Sequence, residues 1–159
     1  MWIIQSDYNN KNAYFSTLEK ELISLIDGEK NLIANLANIS SWIFHSFPDL
    51  NWSGFYLWDE NDQELILGPF QGRPACIRIK RERGVCGAAF RSQKTLNVDR
   101  IENFPGHIAC DSASKSELVI PFTRGVFDLD SPTPFRFSKQ DEDELSRIMN
   151  NIFKRLQIQ

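Results

Sequence analysis

Apolar positions along the chain follow two periods. Phe15, Leu18, Leu22, Leu25 and Ile26 recur at helical spacing, and Ile33, Leu36, Ala37, Ile43 and Phe44 repeat it after a break near Asp27 and Gly28. Two amphipathic helices therefore open the chain, and Pro48 and Asp49 close that region. Leu50 to Trp58 then reads as a strand with aromatic residues on both faces, which predicts a central, doubly covered position. A turn at residues 60–63 leads into Glu64 to Phe70 as its hairpin partner. Ala75 to Lys80 is a third extended stretch. Gly84 to Gln93 reads as a short helix entered through glycine, and residues 95–98 as a short strand. Asn103 to Ser116 is a polar loop longer than most connections in a compact domain, a candidate for function. Glu117 to Phe122 and Val126 to Asp130 flank a tight turn at Thr123, Arg124 and Gly125 and form a second hairpin. Ser138, with Asp141 three residues on, signals the cap of a last helix carrying Leu145, Ile148, Met149, Ile152, Phe153 and Leu156 on one face. A run of strands between terminal helices predicts an α+β layer architecture, an antiparallel sheet with helices packed on it.

Length and charge narrow the classes. The 159 residues suit one domain, expected to span 1–159, and 42% hydrophobic with 25% charged residues is ordinary for a globular chain. A net charge of −3 supplies no broad basic field, so neither nucleic acid nor an anionic membrane is an expected partner. The first dozen residues lack a basic start, a long apolar core and a small-residue cleavage site, and no later apolar run reaches membrane-spanning length. The expected location is the cytoplasm.

Three cysteines, Cys76, Cys86 and Cys110, are an odd number that disfavours a structural disulfide framework. No Cys-x-x-Cys pair is present and His45 and His107 are not spaced with the thiols as zinc ligands, so no metal is expected. Cys86 falls near the start of a short helix, where partial positive charge and nearby Arg83 would favour a thiolate; its plain alternative is a small core residue. Cys110 lies in the long polar loop, seven positions before Glu117, among hydroxyls and backbone groups suited to a small polar ligand. Cys76, in a strand-like stretch, fits best as a simple core thiol. Asp128 and Asp130 alternate with apolar neighbours and should share one strand face. If Glu117 joins them, three clustered carboxylates repel one another's charge, and at least one should keep its proton near neutral pH and serve as an acid. Trp52 and Tyr56 share a face with Gly54 between them, leaving space above the glycine for a pocket wall; simple core packing is the alternative. The basic run Arg78, Lys80, Arg81 and Arg83 reads as a solvated edge, and His107 as a residue that orients the loop.

The segments NWSGFYL, LGPFQGRPAC, RGVCGAA, FPGHIACDSASKSELVIP and DLDSP together resemble the free methionine-(R)-sulfoxide reductases, a GAF-domain family. The resemblance runs from about the first helix to the last. It implies an antiparallel sheet of about six strands with helices packed mainly on one face, and a closed pocket for free methionine sulfoxide. Cys76, Cys86 and Cys110 match that family's cysteines, and Glu117, Asp128 and Asp130 match its ligand-binding carboxylates. The hairpin turn at Thr123 to Gly125 is shorter than in the family, so the aspartates face Glu117 only if the turn absorbs the difference.

Chemistry and resemblance together imply a thiolate attacking the sulfoxide sulfur, a carboxylic acid protonating the oxygen, and a sulfenic acid resolved by a second cysteine. An external dithiol such as thioredoxin would restart the cycle, with no bound cofactor. Cys110 is the expected attacking thiol because its loop leads to Glu117, with Cys86 the close alternative. Cys86 and Cys110 are the expected disulfide pair, with Cys76 a slower substitute or bystander. Two other readings stay open: a non-catalytic GAF sensor of a small ligand, and a thiol redox sensor without a small substrate. A homodimer is left open as well.

Overall fold

The computed structural model describes residues 7–106 and 112–159. The two opening apolar periods become helices α1 (Lys11–Ile26) and α2 (Leu32–Ser46). Each begins at an asparagine whose side chain accepts the orphan backbone N–H three residues on, Asn10 from Ala13 and Asn31 from Ala34. The strands are β1 (Trp52–Asp59), β2 (Glu64–Gly72) and β3 (Arg78–Lys80), then β4 (Leu96–Val98), β5 (Ser116–Phe122) and β6 (Gly125–Ser131). Helix α3 (Gly84–Ser92) lies between β3 and β4, and α4 (Lys139–Arg155) ends the fold. The cap predicted at the start of α4 forms as a full capping box: the Asp141 backbone N–H donates to the Ser138 hydroxyl and the Ser138 backbone N–H to the Asp141 carboxylate. Asp141 is buried, and Lys11, Arg136 and the Tyr8 hydroxyl all reach its carboxylate, which ties the segment before α1 to the start of α4.

All six strands pair antiparallel in the order β3-β2-β1-β6-β5-β4, with β6 and β1 at the centre, β1 as the aromatic run predicts. Alternation gives the sheet two different faces. Phe55, Leu118, Ile120, Phe127 and Leu129 point to one face and join α1, α2 and α4 in the larger core. Trp52, Tyr56, Val119 and Val126 point to the other and meet α3 in a second cluster. Three helices thus cover one face, as expected, and α3 alone roofs the other. Among the described residues no helix is long and apolar enough to cross a membrane.

Two details differ from the sequence reading. The third strand is only three residues long, so Cys76 sits in the connection before it and not in a strand. The hairpin between β5 and β6 closes on a two-residue turn, with Phe122 opposite Gly125. A Cβ at Gly125 would run into the Tyr56 carbonyl, so glycine is what lets β6 lie against β1 at this end. That tight turn sets the register for everything that follows.

Candidate active site

From the Phe122–Gly125 pair the ladder counts back to Glu117 opposite Asp130 and Val119 opposite Asp128. On the other side of β6, Trp52 pairs with Asp130 and Gly54 with Asp128. The period of two then sends Glu117, Asp128, Asp130, Trp52 and Tyr56 to one face, the one beneath α3. The short turn has absorbed its own length, and the three carboxylates meet. All five residues line one pocket together with Cys86, Val85, Ile79, Ile101, Ser114 and the 74–75 connection.

The roof comes close because two glycines allow it. Gly84 donates its N–H to the Gly106 carbonyl at 3.1 Å. A Cβ at Gly87 would sit 2.6 Å from the Lys80 carbonyl oxygen, so α3 packs directly on the preceding turn. Cys86, in the first turn of α3, is 3% exposed and donates to Glu117 Oε1 at 3.8 Å. The nearest ligand atoms of Cys86, Glu117 and Asp128 lie within 4.8 Å of one another. Among the described residues Asp128 Oδ1 meets no hydrogen-bond partner.

Such a cluster cannot hold three full charges. Burial raises the Glu117 carboxyl well above the usual range, and the neighbouring Asp128 and Asp130 charges add to it. Burial also pushes Asp128 up to about 7. At neutral pH the site therefore keeps at least one carboxylic acid, as the clustering predicts. Of the two readings of Cys86, the buried core thiol is the one found. Burial, then the charges of Asp128, Glu117 and Asp130, raise its thiol well above the ordinary value, so it is a protonated thiol rather than a helix-stabilised thiolate. Arg83, expected to help it, is exposed to solvent with the rest of the basic run.

A raised carboxyl means that the folded chain binds more protons than the unfolded chain. For Asp128, stability then falls as pH rises between the ordinary value of 3.8 and about 7. Asp128→Asn is expected to raise the melting temperature, by roughly 2–4 °C for each kcal/mol recovered. Calorimetry should find the gain larger at pH 8 than at pH 5; a gain that shrinks with rising pH would contradict the burial of an acid here.

Trp52 and Tyr56 wall the pocket and also anchor its rim. The Trp52 indole N–H donates to the Arg73 carbonyl at 3.2 Å, and the Tyr56 hydroxyl to the Cys76 carbonyl at 3.0 Å. The space expected above Gly54 is not part of the pocket. Trp52 Cη2 would lie 2.6 Å from a Cβ there and the Phe70 side chain would clash with it, because Trp52 leans across the glycine to stack on Phe70 and Tyr56. Gly54→Ala should thus cost about 1–3 kcal/mol in overpacking. Unchanged thermal unfolding in that variant would contradict this packing.

The cysteines divide differently from expectation. Cys76 is disulfide-bonded, while Cys86 is free. Cys86 is fixed in a helix turn facing Glu117, whereas half-buried Cys76 sits on an inter-strand connection, so here Cys76, expected as a slower substitute or bystander, carries a disulfide and Cys86 does not. Cys110 and His107, with the centre of the long loop, lie outside the described residues. Ser114 and Ile101 are pocket residues not singled out from the sequence. Ser114 Oγ accepts from Asn51 Nδ2 at 3.0 Å, and a hydroxyl among several in a polar loop carries no signal that selects it. Ile101 is brought in by a single 3₁₀ turn after β4, which no periodicity announces.

The GAF domain family model matches residues 32–154. Protein YtsP of Bacillus subtilis is 42% identical over 161 residues, covering 98% of this chain and 99% of its own. The free methionine-R-sulfoxide reductase of Escherichia coli is 40% identical over 150 residues, covering 91% of this chain and 90% of its own. The structure of free methionine-R-sulfoxide reductase from Neisseria meningitidis in complex with its substrate superposes with a TM-score of 0.92 at 35% identity, over 99% of this chain and 96% of that one. With a six-stranded antiparallel sheet, four helices and this similarity along nearly its whole length, the chain belongs to the free methionine-R-sulfoxide reductase family of GAF-domain proteins.

Proposed function

We propose that this protein reduces free methionine (R)-sulfoxide to methionine by thiol chemistry in the pocket beneath α3. The observation that carries the reading is one buried pocket where Glu117, Asp128 and Asp130 meet between two aromatic walls beside the Cys76 connection. Among the described residues its lining contains acids but no Lys, Arg or His. That suits the ammonium group of a free amino acid, and a site built for it rejects a ligand lacking it more strongly than a methylene difference would. The flat faces of Trp52 and Tyr56 suit a thioether chain.

In the proposed cycle the Cys110 thiolate attacks the sulfoxide sulfur, while a carboxylic acid of the Glu117–Asp128 pair protonates the oxygen. The oxygen passes to the cysteine as a sulfenic acid, and methionine leaves. A second thiol displaces water from the sulfenic acid to give a disulfide, and an external dithiol, thioredoxin being the expected one, returns both cysteines to thiols. The bonded state of Cys76 supports Cys76, rather than Cys86, as the resolving residue.

Methionine formation from the purified (R)- and (S)-sulfoxides and from N-acetylmethionine (R)-sulfoxide, with thioredoxin and its reductase, tests the reading. Turnover of the free (R)-form alone is expected. Ligand binding without methionine formation would make the protein a sensor instead.

A further inference from the structure

Cys86 is a buried nucleophile that the proposed cycle does not consume. It faces two carboxyl groups, and its Sγ and their nearest oxygens fall within 4.8 Å of one another. Three separate elements, α3, β5 and β6, deliver these donors, so no sequence spacing announces them. Asp128 is 5% exposed and its carboxyl leans toward Cys86 and Glu117, yet among the described residues its Oδ1 meets no hydrogen-bond partner although the residue lines the pocket. A buried carboxylate oxygen left in that state is an acceptor awaiting a partner.

From this we infer that Cys86, Glu117 and Asp128 form a binding site for a divalent cation of the zinc class, which excludes substrate from the pocket. The blocking role rests on the proposed reductase reading; the binding itself does not. Tetrahedral zinc holds sulfur at about 2.3 Å and carboxylate oxygen at about 2.0–2.2 Å, which places donors roughly 3.3–3.8 Å apart. The Sγ to Glu117 Oε1 distance of 3.8 Å is already close to that, and Asp128 must approach by a side-chain adjustment. A thiolate with two carboxylates favours zinc, cadmium or cobalt over magnesium or calcium, whose sites are built from oxygen alone. The thiol and carboxyl protons leave to solvent as the cation enters, and its charge offsets that of three buried anions. Three protein ligands leave a fourth position for water.

Cobalt is the probe, added to the oxidised protein so that Cys76 is held in its disulfide and Cys86 is the free thiol. One cobalt per chain with a thiolate-to-cobalt charge-transfer band in the near ultraviolet is expected, displaced by zinc. The band should vanish in Cys86→Ser and require at least about tenfold more cobalt in Asp128→Asn. In steady state, zinc should raise the apparent KM for methionine sulfoxide, and EDTA should restore it. Absence of the band, or its persistence in Cys86→Ser, overturns the site. If the band forms but the protein turns over no sulfoxide under any condition, the reductase reading fails while the cation site stands. Zinc inhibition that survives Asp128→Asn undiminished would place the inhibiting metal elsewhere.

Discussion

Cys110→Ser should abolish methionine formation from free methionine (R)-sulfoxide, to below about 10⁻⁴ of the parent rate, because the proposed cycle gives the oxygen no other acceptor. Cys86 cannot easily substitute. Burial among carboxylates keeps its thiol protonated, and a thiol is a far weaker nucleophile than a thiolate. Cys76→Ser should behave differently: the first methionine still forms, but the sulfenic acid loses its resolving thiol and repeated turnover with thioredoxin collapses. Cys86→Ser should still convert two thiols to a disulfide for each methionine released. Rapid-quench measurement of methionine per chain, with and without reductant, separates the three variants. A Cys110→Ser protein that releases one methionine per chain would reassign the nucleophile.

Removing a single pocket carboxyl should lower kcat/KM by about 10²- to 10⁴-fold, the usual worth of a positioned proton donor. Glu117→Gln, Asp128→Asn and Asp130→Asn keep the size of each side chain and remove only the acid, which makes them the right variants. The pH dependence carries a sign. Asp128 gives up its proton at about 7, so a donor role for it makes kcat/KM fall as pH rises through that value, and Asp128→Asn should remove this inflection. Asp128→Asn should at the same time melt higher, since keeping acids out of water costs stability that only function requires. Near-parental activity in all three variants would show that these carboxyls serve neither the binding nor the chemistry.

Much of this was legible in the chain. The periods of the two opening helices, the Ser138 cap and the two hairpins predict elements within a few residues of those observed. The alternation of Asp128 and Asp130 with apolar residues places both beneath α3. What alternation could not supply was register. Glu117 stands opposite Asp130 only because Gly125 lets the two-residue turn close against Tyr56, a backbone approach invisible in composition. The ionisation of Cys86 is not readable from its own segment for a related reason. A helix N-terminus favours a thiolate only where the sulfur is accessible and few anions surround it, and both conditions depend on β5 and β6, more than thirty residues away. Gly54 misled in the opposite sense: a glycine between two aromatics promises space, but here the gap is filled by Trp52 leaning on Phe70.

The most direct test of the account is a single-turnover experiment. Fully reduced protein is mixed with a limiting amount of free methionine (R)-sulfoxide without any reductant, and methionine, remaining thiols and disulfide-linked peptides are measured together. The account predicts one methionine for each pair of thiols lost, with the new disulfide joining Cys76 to Cys110 and Cys86 still free. Methionine released with no loss of thiols, or thiols lost with no methionine formed, would contradict it.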